Sequence, residues 1–117
     1  MGMNCVMNIE INNLNWGDLP EKEIAKGLFA KIVHTDNMTL VRWRFVKNSE
    51  LPKHSHPHEQ VTLVLDGKIL LTVKNKELNL QNGDVLPIKS NVPHSGKAIT
   101  NCDVIDVFTP VREDLKY

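Results

Sequence analysis

Three of the chain's five histidines, His54, His56 and His58, fall within five residues of the stretch LPKHSHPHEQVTLVLDG (51–67), and Glu59 and Gln60 follow directly. Imidazole nitrogens bind Zn²⁺, Ni²⁺, Mn²⁺ or Fe²⁺ at roughly 2.0–2.2 Å. If the segment is extended, His54, His56, His58 and Gln60 point the same way, because strand side chains alternate with period two. Two histidines at i and i+2 are only about 7 Å apart and reach one ion; four in a row cannot. Pro57 lacks an N–H and restricts the residue before it, so it interrupts the row. One member must drop out, and sterics alone leave open which. A further ligand has to come from elsewhere, and His94 in GDVLPIKSNVPHSG (83–96) is the candidate. The competing reading is a solvated, histidine-rich loop. His34 stands alone near a turn and reads as structural or exposed.

A second set of residues closes the chain, in CDVIDVFTPVRED (102–114). Val104, Asp106 and Phe108 share one strand face, and Ile105 and Val107 the other. A carboxylate between valines is costly to bury without a partner. Either Asp106 is paired or its face opens on a wet cavity. Arg112, past Pro110, can fold back over the same opening; an Asp106–Arg112 ion pair is the structural alternative.

The elements that must position these residues are strands. GLFAKIVHTDNMTLVRWRFV (27–46) reads as a hairpin about Asp36-Asn37, and turn signals recur at Asp66-Gly67, Lys74-Asn75 and Asn82-Gly83. KILLTV, KELNL, DVLPI and CDVIDVF are of strand length. DLPEKEIAKGLF (18–29) opens with Asp18, a plausible helix N-cap, but Gly27 comes soon, so at most one short helix fits. Val61, Leu63 and Leu65 alternate with Thr62 and Val64, apolar on both faces. That suits a strand with one face to a barrel interior and the other against a second sheet or a partner subunit. The reading is one all-β domain, residues 1–117, of double-sheet jelly-roll type. Arg42 and Arg44 share a strand face, either in solvent or at the cavity mouth.

Composition narrows the class. Lys plus Arg equals Asp plus Glu at 14 each, so no basic stripe invites nucleic acid. Apolar runs fall far short of the roughly 18 residues of a membrane span. The N-terminus lacks the basic and apolar regions of a signal peptide. Cys5 and Cys102 are too few for a disulfide framework, and read as reduced thiols of a cytoplasmic protein.

The two histidine segments resemble the two motifs of the cupin superfamily. The first, H-x-H-x3-E-x6-G, is matched by His54, His56, Gln60 and Gly67. The second, G-x5-P-x-G-x2-H, is matched by Gly83 and His94, with Lys89 and Asn91 where the family often has Pro and Gly. The resemblance implies a double-stranded β-helix barrel holding one divalent transition metal ion on His54, His56, Gln60 and His94, with His58 a neighbour. Gln60 replaces the more usual Glu, so all four ligands are neutral and the ion's charge stays free to attract an anion; the alternative is that Gln60 only hydrogen-bonds within the barrel and three histidines suffice.

HSHPHEQ with DVFTPVRED further resembles the pectin-degradation branch of cupins, which opens 4,5-unsaturated uronate monosaccharides to linear 5-keto-4-deoxyuronate. That likeness implies Asp106 and Arg112 as catalytic residues, with Phe108 and Arg112 against a small anionic sugar. The alternatives are a cupin-type dioxygenase and a non-catalytic sugar- or small-molecule-binding cupin. Small cupins commonly dimerise, so a homodimer is expected.

Overall fold

The computed structural model describes residues 12–116; Cys5 lies outside the described residues. Among the described residues, ten strands form two antiparallel sheets. The larger has the order β1-β2-β3-β10-β5-β8 and the smaller β4-β9-β6-β7. The larger sheet comprises β1 (Lys22–Ala25), β2 (Leu28–His34), β3 (Thr39–Phe45), β5 (Glu59–Asp66), β8 (Val85–Ile88) and β10 (Cys102–Thr109). The smaller comprises β4 (Glu50–His54), β6 (Lys68–Val73), β7 (Lys76–Gln81) and β9 (His94–Ala98). The expected all-β, two-sheet architecture is present.

Alternation decides what lies between the sheets. Thr39, Val41, Trp43 and Phe45 of β3 are buried, and β10 buries Cys102, Val104, Asp106 and Phe108. Val41, Val64 and Val104 are among the most deeply buried side chains, each worth about 1.5–3 kcal/mol of hydrophobic stabilisation. β10 is the central strand, paired with β3 on one side and β5 on the other. It therefore carries its inward residues into the middle of the barrel.

The outward residues of β3 settle the two arginines. Arg42 makes a bidentate pair with Asp103 (2.6 and 3.0 Å), and Arg44 makes one with Glu21 (2.8 and 3.1 Å). Both sit on the outer face of the larger sheet, away from the cavity mouth.

Among the described residues no α-helix follows Asp18, within the expected limit of at most one short helix. Asp18 ends a 3-10 turn, Trp16–Asp18, whose cap is Asn15. Residues 22–25 pair instead with β2, and Gly27 makes the turn at φ 78°. A stretch this short nucleates a helix poorly, whereas the edge of β2 offers backbone partners directly.

Of the turns, Lys74 and Asn75 take positive φ and close the β6–β7 hairpin, as a tight two-residue turn requires. Asp66-Gly67 does something different: it carries the chain from the larger sheet into the smaller. Gly67 has φ 101°, and a Cβ there would collide with the carbonyl oxygen of Asn101. Cys102 is a free, buried thiol. Among the described residues, no helix is long and apolar enough to cross a membrane.

Candidate metal centre

The segment HSHPHEQ is not one extended strand. β4 ends at His54, residues 55–58 form a loop, and β5 starts at Glu59, so the chain changes sheets within the histidine cluster. His54 is the direct antiparallel partner of His94 at the head of β9. Their ring centroids are 4.2 Å apart, and His56 in the loop lies 5.5 Å from His54 and 5.1 Å from His94. One ligand nitrogen from each of the three lies within 4.8 Å of the others, so the rings converge as a metal site requires. The second segment is tied to the first by the Asn91 N–H, which donates to the His56 carbonyl at 2.8 Å. Asn91 has φ 65°, so asparagine makes the left-handed turn that glycine usually makes there.

Each ring is aimed by the main chain. His54 Nδ1 lies 2.9 Å from the Pro52 carbonyl, His56 Nδ1 3.1 Å from that of His58, and His94 Nδ1 2.8 Å from that of Val92. A carbonyl only accepts, so each Nδ1 carries the proton and each Nε2 presents a lone pair. Second-partner hydrogen bonds of this kind orient metal-binding histidines. Burial lowers the pKa of His94, and burial, Arg112 and His94 together bring His56 down to about 4. Both rings are thus neutral near pH 7, as ligation demands.

Two atoms test whether a cation fits. His56 Nε2 and Gln60 Oε1 are buried with no hydrogen-bond partner. A buried polar atom left unpaired costs about 1–3 kcal/mol, and ligation of a divalent ion would satisfy both. Three imidazole nitrogens and an amide oxygen suit Zn²⁺, Ni²⁺, Mn²⁺ or Fe²⁺. His58 takes another role. Its carbonyl orients His56, and its Nε2 donates to the Val111 carbonyl at 3.2 Å.

Behind Gln60 sits a buried polar network that the sequence did not reveal. Asp106 is 8% exposed. Its Oδ2 accepts from Trp43 Nε1 (2.9 Å), and its Oδ1 accepts from Thr62 Oγ1 (2.6 Å) and Gln60 Nε2 (3.4 Å). Burial raises its pKa to about 6, against the opposing pull of the Thr62 and Trp43 hydrogen bonds and of Arg112. The only signal for Thr62 was its shared parity with Gln60. For Trp43 it was the inward alternation of β3.

Asp106 does not pair with Arg112. The Arg112 guanidinium forks onto Asp114 (2.7 and 2.9 Å) and stacks 4.6 Å above the Phe108 ring. Phe108 is buried beneath it and meets the His56 ring edge-on at 5.6 Å. The Arg112 N–H donates to Thr39 Oγ1 at 2.8 Å, an oxygen that also meets His34 Nδ1 at 2.8 Å. His34 is therefore structural. Arg112 stays close enough to depress the proton affinity of His56, His94 and Asp106.

Comparison with known proteins agrees with this fold. No curated protein matches the chain significantly. Among solved structures, an RmlC-like cupin from Shewanella frigidimarina is 26% identical at a TM-score of 0.86, covering 92% of this chain and 97% of that one. KdgF from Halomonas sp. has the same fold at 23% identity and a TM-score of 0.86, covering 92% and 100%. Salicylate 1,2-dioxygenase from Pseudoaminobacter salicylatoxidans is 19% identical at a TM-score of 0.70, covering 73% of this chain and 27% of that one. The family model for the cupin domain matches residues 41–108, a span that starts in the strand bearing Trp43 and ends at Phe108. With two sheets, converging histidines and that match, the chain belongs to the cupin domain family.

Proposed function

We propose that this cupin is a metal-dependent enzyme that opens 4,5-unsaturated uronate monosaccharides to linear 5-keto-4-deoxyuronate. The observation that carries the reading is Asp106, a carboxylate buried on β10 one hydrogen bond behind Gln60, where burial raises its proton affinity. The likeness to KdgF supports the fold on which this chemistry would run.

A divalent ion held by His54, His56, Gln60 and His94 would supply Lewis acidity toward the oxygens of the sugar. The chain does the rest. Asp106 exchanges its long Gln60 hydrogen bond (3.4 Å) for the anomeric hydroxyl and takes its proton, the bond from C1 to the ring oxygen breaks, and C1 becomes an aldehyde. The electrons of the broken bond pass to the ring oxygen, which stays on C5 as an enolate. The proton then goes to C4, giving the C5 ketone. No water or oxidant is consumed, and a group with a pKa near the working pH serves both transfers. Phe108 holds Arg112 flat above it; Asp114 occupies the Nε/Nη2 edge of the guanidinium, and the remaining Nη1/Nη2 edge meets the substrate carboxylate. The same reading has the protein cytoplasmic and homodimeric. An outward apolar strip, with Val61 37%, Leu65 42% and Val85 58% exposed, supports the second copy.

The test is turnover of unsaturated galacturonate and guluronate monomers by protein loaded in turn with Zn²⁺, Ni²⁺, Mn²⁺ and Fe²⁺. It is followed as loss of enol-ether absorbance, with metal content measured alongside. Asp106→Asn should lower the rate by about 10²–10⁴-fold. No turnover with any of the four ions refutes the proposal, and oxygen uptake by the Fe²⁺ form would move the chain to the dioxygenase reading.

A further inference from the structure

The amide of Gln60 has two ends, and only its oxygen can face a cation. We propose that Thr62 is a positioning residue that fixes which end does so; this rests on the reading of Gln60 as the fourth metal donor. Trp43 Nε1–H and the Gln60 amide N–H can only donate, and they reach Asp106 at its two different oxygens. Both oxygens of the carboxylate are therefore acceptors. Thr62 Oγ1 lies 2.6 Å from Asp106 Oδ1, so it gives its single proton to Asp106. What Thr62 has left is lone pairs, and these receive the Gln60 Nε2–H at 3.0 Å.

The nitrogen end of the amide is thus held by two acceptors, Thr62 Oγ1 and Asp106 Oδ1. The oxygen end is left buried and without a partner. Turning the amide over would set Gln60 Oε1 against those same two acceptors and aim an NH₂ group at the ion. Both faults cost energy, so the chain of donors from Trp43 through Asp106 and Thr62 imposes one polarity. Main-chain register holds the chain in place: Thr62 is the direct partner of Asp106 across β5 and β10, and Gln60 lies opposite Phe108 on the same strand pair.

The experiment titrates metal-free, full-length protein with Ni²⁺ in competition with a chromogenic chelator. Thr62→Val keeps the shape of the side chain and removes the hydroxyl; it should weaken Ni²⁺ binding by about 10–100-fold. Thr62→Ser should restore wild-type affinity. In a Gln60→Ala background, Thr62→Val should cost nothing further, because there is no amide left to orient. Should Thr62→Val fail to fold, Thr62→Ala carries the same comparison. Wild-type Ni²⁺ affinity in Thr62→Val, or an equal loss with and without Gln60, overturns the role of Thr62, provided that His94→Ala abolishes binding. Wild-type Ni²⁺ affinity in His94→Ala removes the metal site itself, a separate failure that takes the proposal with it.

Discussion

Trp43→Phe removes one atom group with a calculable effect. The indole N–H donates to Asp106 Oδ2 at 2.9 Å, and the carboxylate is buried. A hydrogen bond to a charged group contributes about 1.5–3 kcal/mol. Losing it penalises the ionised form alone. At 1.36 kcal/mol per unit, the Asp106 pKa should rise by about 1–2 units from its value of about 6. At pH 7 the ionised fraction would fall from about nine-tenths to between a half and a tenth. In the proposed reaction the ionised carboxylate takes the first proton. The acid limb of the kcat/KM profile should therefore move up by about 1–2 pH units relative to wild type, since that limb reports the free enzyme. At pH 9 the variant should regain most of the wild-type rate. The smaller ring also gives up some packing against Phe45, whose centroid lies 5.4 Å away, so the denaturant midpoint is measured first. A folded variant whose acid limb stays in the wild-type position would refute the reasoning.

Asp106 also makes stability depend on pH. Burial raises its pKa from 3.8 to about 6, so the folded chain keeps a proton that the unfolded chain releases. This stabilisation is complete below pH 3.8 and is lost as pH rises through 6. Relative to wild type, metal-free Asp106→Asn should gain about 2–3 kcal/mol between pH 3.5 and pH 7 in urea unfolding; a pH-independent difference would count against it. Gly67→Ala should cost roughly 2 kcal/mol or more, because the added Cβ meets the Asn101 carbonyl at a positive φ; an unchanged urea midpoint would contradict the close crossing. Light scattering over a concentration series should give twice the chain mass, and Val61→Asp with Val85→Asp should halve it. A wild-type monomer at every concentration would dispose of the homodimer.

Much of the candidate site was legible because its residues cluster in sequence or sit at fixed spacing. His54, His56 and His94 converge, although by the pairing of β4 with β9 and a loop, not by alternation along one strand. What stayed hidden depends on register. Nothing in the chain before folding says that Thr62 faces Asp106, or that the Trp43 indole reaches diagonally across to the same carboxylate. An Asp106–Arg112 ion pair was the structural alternative, but Asp114 lies two residues from Arg112 and captures the guanidinium locally. The hairpin at 28–45 was readable from its turn and its alternation. The edge strand at 22–25 was not, because its side chains are all exposed and only the open edge of β2 draws it into the sheet. The Asp66-Gly67 turn announced a reversal. Whether it joined neighbours or crossed between layers was decided by core packing.

The three imidazoles take their bearings from carbonyls at positions 52, 58 and 92, which no side-chain substitution deletes. Arg112, the proposed substrate contact, can therefore be exchanged while the three histidines keep their aim. A scaffold that separates the two tasks is free to change its chemistry by small steps. In the proposed site, the choice among divalent ions then depends on which one the surroundings supply as well as on shape.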